Sequence, residues 1–537
     1  MIAHRFARLF LLPLLLSLAV SLAAAQTTAA PHLFFRVTLA SGMQPVASGR
    51  VLIFLEAGSG AKQVQANEFH PSSTSIAAKE ITDLHPGESI DIDVDSIAFP
   101  APFSSLQPGT YEAQAVLDVN HTYAYDGLEA GDLESSVLAL PNWTPGTGDE
   151  PAFTLDEVAP QRPPRPLPLS PGVLAAAEKS IQFADFTSPV LTAFSGRPTH
   201  IRAWVVLPPG YADHPHQRYP TVYWTHGFGA KLAYIRDNGL MIYSRMAAGK
   251  MPPMIWLMLD ESLPTGTHEF ADSVNNGPWG AALTTEFIPW IEAKYRMDAR
   301  ARGRFLNGHS SGGWATLQLQ VNYPKIFGGT WSTSPDPSDF HDFTGVDLYA
   351  PHANVYHRPD GTLYPLVRDH AHVIATYEEF AKQEVVLGSY GGQMASFEWV
   401  FSPRGADGKP LQMFDRKTGD VNPDVVAYWH DRYDLSNVVA TNWSTRGPYL
   451  KGKIHLIVGT ADTFYLDGSA HKFEAVLKSL NADPHFTYRP DRTHMNLYEE
   501  NGDRYALFDE IAAQMYAVAR PSAHWTVPAG EDVLQHP

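Results

Sequence analysis

The 537-residue chain contains no cysteine. That excludes disulfide cross-links, a cysteine nucleophile, thiolate metal sites and thiol-linked lipid, so stability has to come from core burial. Basic residues are also scarce: 39 Lys and Arg stand against 57 Asp and Glu, a formal net charge of −18. An acidic surface of this kind argues against nucleic acid or an anionic membrane as partner. Apolar runs approaching the length of a membrane span are absent after the first two dozen residues. What is present, 44% hydrophobic and 12% aromatic residues, suffices for two or three well-packed globular domains.

The one apolar run, Leu9 to Leu22, follows a basic start of His4, Arg5 and Arg8 and precedes Ala23-Ala24-Ala25. Basic start, apolar centre and small-residue cleavage site predict a secretory signal peptide over residues 1–25, and hence an exported protein, secreted or periplasmic. Residues 26–158 read as a small all-β sandwich. Leu33–Leu39 and Val51–Leu55 have strand character, and Tyr111, Ala113, Ala115, Leu117 and Val119 alternate as in a half-buried strand. Asp91-Ile92-Asp93-Val94-Asp95 has the first spacing of a calcium loop, but Ser96 stands where such a loop needs glycine and Pro102 where it needs an acid, so a strand is predicted. Pro160, Pro163, Pro164, Pro166, Pro168 and Pro171 mark residues 159–172 as an extended linker.

From 173 to 520 strand-like and helix-like segments alternate, which predicts an α/β domain with a mainly parallel sheet. Strands are expected at Ile201–Leu207, Thr221–Thr225, Met254–Leu259, Phe305–Leu306 and Ile454–Val458. Helices are expected at Ala281–Tyr295, Ala470–Leu480 and Arg504–Ala519. Residues 338–450 form an insertion too long for a plain loop. A helix is predicted there over His372–Val386, and the segment is expected to overhang the site as a lid or substrate-shaping subdomain. His370-Ala371-His372 lacks the carboxylate frame of a metal site, and none is predicted. Residues 521–537 read as a C-terminal tail.

The densest signal is Gly308-His309-Ser310-Ser311-Gly312, between the strand Arg304–Asn307 and a helical run that Tyr323-Pro324 stops. A G-x-S-x-G on a strand–turn–helix is a nucleophile elbow: the turn is tight enough to need glycines, and it lifts the serine hydroxyl above the sheet. A serine needs a base for its proton, an acid to orient that base, and donors for the developing oxyanion. His226-Gly227-Phe228-Gly229 directly follows the Thr221–Thr225 strand and supplies an oxyanion loop, with the Phe228 and Ser311 amides as donors. His226 is expected to shape that loop rather than act as a base. The acid belongs after a late strand, where Gly459-Thr460-Ala461-Asp462 stands; Asp467, Asp336 and Asp339 are the alternatives to Asp462. The base belongs after the last strand, which selects His494 over His485.

These motifs, with Leu207-Pro208-Pro209-Gly210-Tyr211 and Gly312-Gly313, make the region from Ser188 to Ala519 resemble the putative-esterase family of α/β-hydrolases. That family includes esterase D, feruloyl and acetylxylan esterases, enterochelin esterase and mycolyltransferases. The resemblance implies an α/β-hydrolase fold and serine carboxylic-ester hydrolysis by Ser310, His494 and Asp462 through an acyl-enzyme, without metal or organic cofactor. It implies small-molecule or saccharide esters as substrates, feruloyl or acetyl esters among them. A further segment similar to the family, Phe270 to Gly280, adds Asp272, Asn276 and Trp279 to His226 and His309 as substrate-binding residues; Asn276 and Trp279 equally suit capping and packing of the following helix. Acyl transfer to an alcohol, siderophore-ester hydrolysis and non-catalytic carbohydrate binding on the same scaffold are the alternatives.

Overall fold

A computed structural model describes residues 32–523 apart from 44, 45, 162, 164, 165 and 389, and also residue 525. The expected signal peptide, part of the proline-rich stretch and most of the C-terminal tail lie outside the described residues. Among those described, no helix is long and apolar enough to cross a membrane.

The central sheet has eight strands, numbered here in chain order: β1 Ile181–Thr187, β2 His200–Val206, β3 Thr221–Thr225, β4 Ile255–Leu259, β5 Arg304–His309, β6 Gly329–Thr333, β7 Ile454–Gly459 and β8 His485–Arg489. Their spatial order is β1-β2-β4-β3-β5-β6-β7-β8. Pairing is parallel from β4 through β8 and antiparallel at the β1–β2 edge, so the sheet is mixed. β3 and β4 are buried at every residue, as parallel strands covered on both faces must be. Their side chains split by alternation. Val222, Trp224, Trp256 and Met258 pack with helices Leu232–Ala247 and Ala506–Ala519. Tyr223, Ile255, Leu257 and Leu259 pack on the other side with Leu283, Phe287, Ile291 and Leu319. The parallel strands end on one side of the sheet, where α/β folds collect their functional loops.

Ahead of this sheet lies an all-β region. Strands Phe34–Leu39, Ser89–Asp93 and Ala152–Leu155 form a small sheet; Ala47–Ala57, Thr74–Leu84 and Gly109–Asp118 are the spine of a larger one. Phe35, Val37, Ile92 and Phe153 of the first share a core with Val51, Ile53, Ala113 and Leu117 of the second. The other face of the larger sheet is not solvated, as half-buried strands would have it. Leu52, Phe54 and Val116 pack with Val386 and Leu387 of the insertion. Arg50, buried, donates to the carbonyls of Val385 (3.2 Å) and Val386 (2.8 Å), satisfying the C-terminal end of helix Tyr377–Leu387.

Three local expectations are corrected. The helix predicted over His372–Val386 is a strand, His372–Thr376, paired with Pro365–Asp369 and followed by helix Tyr377–Leu387. Thr376 and Glu379 form a capping box there, which starts the helix a full turn late. The run Ala281–Tyr295 divides into Trp279–Ala282, a π-helical turn Leu283–Phe287, and Ile288–Glu292. Pro171 opens a helix, Pro171–Ser180, where a proline at the first turn sacrifices no hydrogen bond.

Candidate active site

β5 leads straight into helix Ser311–Asn322, with Ser310 as the single connecting residue at φ 60°, ψ −126°. A non-glycine residue there is strained, and the neighbours enforce it. A Cβ on Gly308 would lie 2.2 Å from the Gly312 carbonyl oxygen, and one on Gly312 would lie 2.4 Å from that of His226. The register places Thr225, the last residue of β3, opposite Gly308, so the loop after β3 runs beside the elbow. A Cβ on Gly227 would come 3.2 Å from Ser310 Cβ.

His494, in the loop after β8, is buried and hydrogen-bonded through Nδ1 to Asp462 Oδ2 at 2.9 Å. Asp462, after β7, is fully buried; its Oδ1 accepts from the Phe464 amide at 2.9 Å. Burial alone would raise its pKa, but His494 and these donors outweigh it and hold the carboxyl below its ordinary value. Asp462 is therefore the ionised acceptor and His494 Nδ1 carries the proton. The Phe464 ring packs edge-on against His494 at 5.0 Å, and the His309 ring lies 4.4 Å from it. Burial first, then His494, lowers the pKa of His309 to about 3, which keeps it neutral.

Asp336, in the loop after β6, reaches the elbow from the other side. Its Oδ2 accepts from Ser311 Oγ at 2.7 Å and its Oδ1 from Ser310 Oγ at 3.5 Å. Burial pushes its pKa up to about 6. The four acids considered from sequence thus separate by place: Asp462 meets the histidine, Asp336 meets the serine, Asp467 pairs with Arg368 and Asp339 caps the turn at His341.

Ser310, His309 and His494 open onto a cavity of about 610 Å³ with mainly apolar walls. Gly227 and Phe228 form one side; Leu366, Phe380, Met394 and Phe397 of the insertion form another, with Phe464 and Met495 beside the histidine. Glu68 and Phe69 reach in from the all-β region. These wall residues escape sequence reasoning because they carry no motif and come from three distant stretches.

Four of the expected substrate-binding residues stand elsewhere. His226 is fully buried, accepts from the Glu261 amide at Nε2 (2.9 Å) and donates from Nδ1 to the Gly227 carbonyl (2.8 Å), so it braces the loop after β3. Asp272 Oδ1 accepts from the Ala281 amide at 3.0 Å, inside the first turn of the next helix. Trp279 stacks on His268 with centroids 3.6 Å apart and donates to the Asn276 carbonyl at 2.9 Å. Asn276 Oδ1 accepts from Thr265 Oγ1 at 3.5 Å. Capping and packing account for these contacts; His309 alone of the five lines the cavity.

The all-β region also braces the loop after β3. Tyr125 packs its ring edge-on against Phe228 at 4.9 Å and donates from its hydroxyl to the Ala230 carbonyl at 2.9 Å. Lys231, one residue on, pairs with Asp126 at 2.9 Å.

A family model described as "Putative esterase" matches residues 196–510. Two curated proteins of Mycobacterium tuberculosis, Esterase MT1326 (strain CDC 1551 / Oshkosh) and Esterase Rv1288 (strain ATCC 25618 / H37Rv), are each 32% identical over 145 residues. That is 26% of this chain and 30% of theirs, so the match spans under a third of either relative. Among solved structures, a ferulic acid esterase aligns with 63% of this chain and 97% of its own at 15% identity and a TM-score of 0.38. An S-formylglutathione hydrolase from Agrobacterium tumefaciens aligns with 63% and 94% at 14% identity and a TM-score of 0.35.

Proposed function

This chain belongs to the putative-esterase family, and from that premise we propose that it is an exported serine carboxylic-ester hydrolase acting through an acyl-enzyme. The observation that carries the reading is the 2.9 Å bond between His494 and Asp462 at the cavity onto which the strained Ser310 opens. Ser310 Oγ adds to the ester carbonyl as His494 Nε2 takes its proton. The tetrahedral oxyanion accepts from the Phe228 and Ser311 amides. Collapse expels the alcohol, to which His494 returns the proton; water then repeats the sequence on the acyl-serine and releases the acid. Asp462 holds the tautomer and stabilises the imidazolium. The Ser310 hydroxyl, 3.5 Å from Asp336 Oδ1, turns to His494 Nε2 for the proton transfer.

The reading extends to substrate. Walls that include Phe69, Phe228, Phe380, Phe397 and Phe464 suit a phenolic acyl group such as feruloyl, and a small acetyl group equally enters a cavity of this size. Esters on carbohydrates are the class we assign. The test is hydrolysis of methyl ferulate and p-nitrophenyl acetate by residues 26–537, beside Ser310→Ala. The parent turns over at least one ester, and the variant loses about 10³-fold or more in kcat while staying folded. Equal rates in the two proteins overturn the reading.

A further inference from the structure

A second cavity of about 570 Å³ lies on the all-β region and meets the catalytic cavity at one wall: Glu68 and Phe69 line both. The wall is held in place. The Phe69 and His70 amides donate to Asn67 Oδ1 at 3.0 and 3.2 Å, and Gln383 of the insertion donates to the Pro71 carbonyl at 3.2 Å. The Phe69 ring stands 6.1 Å from Phe464, which in turn packs on His494. A molecule whose ester carbonyl lies at Ser310 therefore has this wall beside it and the second cavity beyond.

The two cavities differ in chemistry. The catalytic one is mainly apolar; the second is mainly polar, with Gln63, Gln65, Asn67, Ser73 and Thr74 along it, the carboxylates of Glu56, Glu68 and Asp126 (the last paired with Lys231), and no Lys, Arg or His in its lining. An anionic ligand finds no counter-charge there. An alkyl chain would strip water from amides and hydroxyls without replacing its hydrogen bonds. A neutral polyol both donates and accepts, and can lay a C–H face on an aromatic ring such as Phe69. Glu68 sharpens the requirement. Its side chain is reached by solvent yet set in a crevice, where loss of surrounding water raises its pKa. Among the described residues it has neither a hydrogen-bond nor an ion-pair partner, so it stands as an acceptor facing two cavities.

We propose that this polar cavity binds the saccharide half of the ester, while the apolar cavity holds the acyl half. The assignment rests on the ester-hydrolase reading above. It makes the all-β region part of the substrate site: that region selects the alcohol, and the α/β domain with its insertion selects the acid.

The experiment compares kcat/KM for methyl ferulate, feruloylcholine and a feruloylated arabinosyl disaccharide in the intact chain, in Glu68→Gln and in Gln65→Ala. The expected result is a glycosyl-to-methyl ratio above about ten in the parent, carried by KM, that falls about tenfold in Glu68→Gln and less in Gln65→Ala. A parent ratio near one, or a ratio unmoved in both variants, overturns the proposal. Feruloylcholine favoured over the disaccharide also overturns it, since the cavity then selects a cation. Calorimetric titration of Ser310→Ala with the feruloyl-free disaccharide, with and without Glu68→Gln, reads the cavity independently of turnover. If the parent hydrolyses neither these three esters nor p-nitrophenyl acetate, the hydrolase reading has failed. If it hydrolyses only p-nitrophenyl acetate, the feruloyl half alone has failed. In both cases this titration decides the cavity: saturable binding lost in Glu68→Gln supports a saccharide site, and no binding removes it.

Discussion

At the scale of single residues, the most consequential side chain outside the Asp462–His494 pair is Asp336. It is buried against the hydroxyls of Ser310 and Ser311, and burial lifts its pKa to about 6. The fold therefore favours its protonated form, whereas the unfolded chain releases that proton near the ordinary value of about 4. The stabilising effect of the neutral carboxyl is complete below that value and is lost as pH rises through about 6. Asp336→Asn removes this dependence. Its melting temperature relative to the parent should be nearly level at about pH 4 and climb by several degrees toward about pH 8; a gap that stays constant across that range would refute the argument. Asp462 works with the opposite sign: its depressed pKa gives stability at neutral pH that is lost in acid. Chain order singles out Asp462 and leaves Asp467, Asp336 and Asp339 as alternatives. Order is legible because each parallel strand delivers one loop to the same edge; which acid meets which partner is set by loop paths no pattern encodes.

At the scale of elements, the insertion is a wall of the cavity and a part of the core together. Phe397 lines the cavity and packs edge-on against Phe343 at 5.3 Å, within the cluster that also holds Leu456 and Val458 of β7. Excising the whole segment would expose that cluster, so a point substitution is the sharper probe. Phe397→Ala should cost about 3–5 kcal/mol of stability and raise KM for methyl ferulate several-fold more than for p-nitrophenyl acetate. Thermal unfolding and the paired kinetics check both halves; equal KM changes for the two esters would remove Phe397 from the acyl wall. Sequence located this insertion by its length and read one helix within it. The start of that helix at Tyr377 follows from the capping box formed by Thr376 and Glu379.

At the scale of the whole molecule, the all-β region and the α/β domain share buried contacts rather than a bare tether. Leu52 and Phe54 pack with Val386 and Leu387, Arg50 caps the insertion helix, and Tyr125 braces Phe228. Tyr125→Phe keeps the ring and deletes the hydrogen bond to the Ala230 carbonyl, worth about 1 kcal/mol. Its expected effect is a two- to tenfold fall in kcat with KM little changed, because in the proposed mechanism the Phe228 amide serves the transition state. A rise in KM alone would move Tyr125 from bracing the Phe228 loop to contacting substrate.

What the sequence determined by itself is whatever short-range patterning encodes. The buried strands, the glycine-dependent elbow at Ser310, the glycine loop at His226–Gly229 beside it and the chain order of Asp462 and His494 all depend on residues near one another in the chain. Only the tertiary structure decided that Glu68 and Phe69 meet a cavity with Leu366, Phe380 and Phe397, that Asp336 faces the serine, that Asp272 serves the scaffold, and that Asn276 and Trp279 take the capping and packing role rather than the substrate-binding one. Those outcomes depend on side chains tens to hundreds of residues apart coming within contact distance. Burial drives such meetings without direction, since apolar area counts the same whichever partner covers it, and so no periodicity or spacing records them in advance.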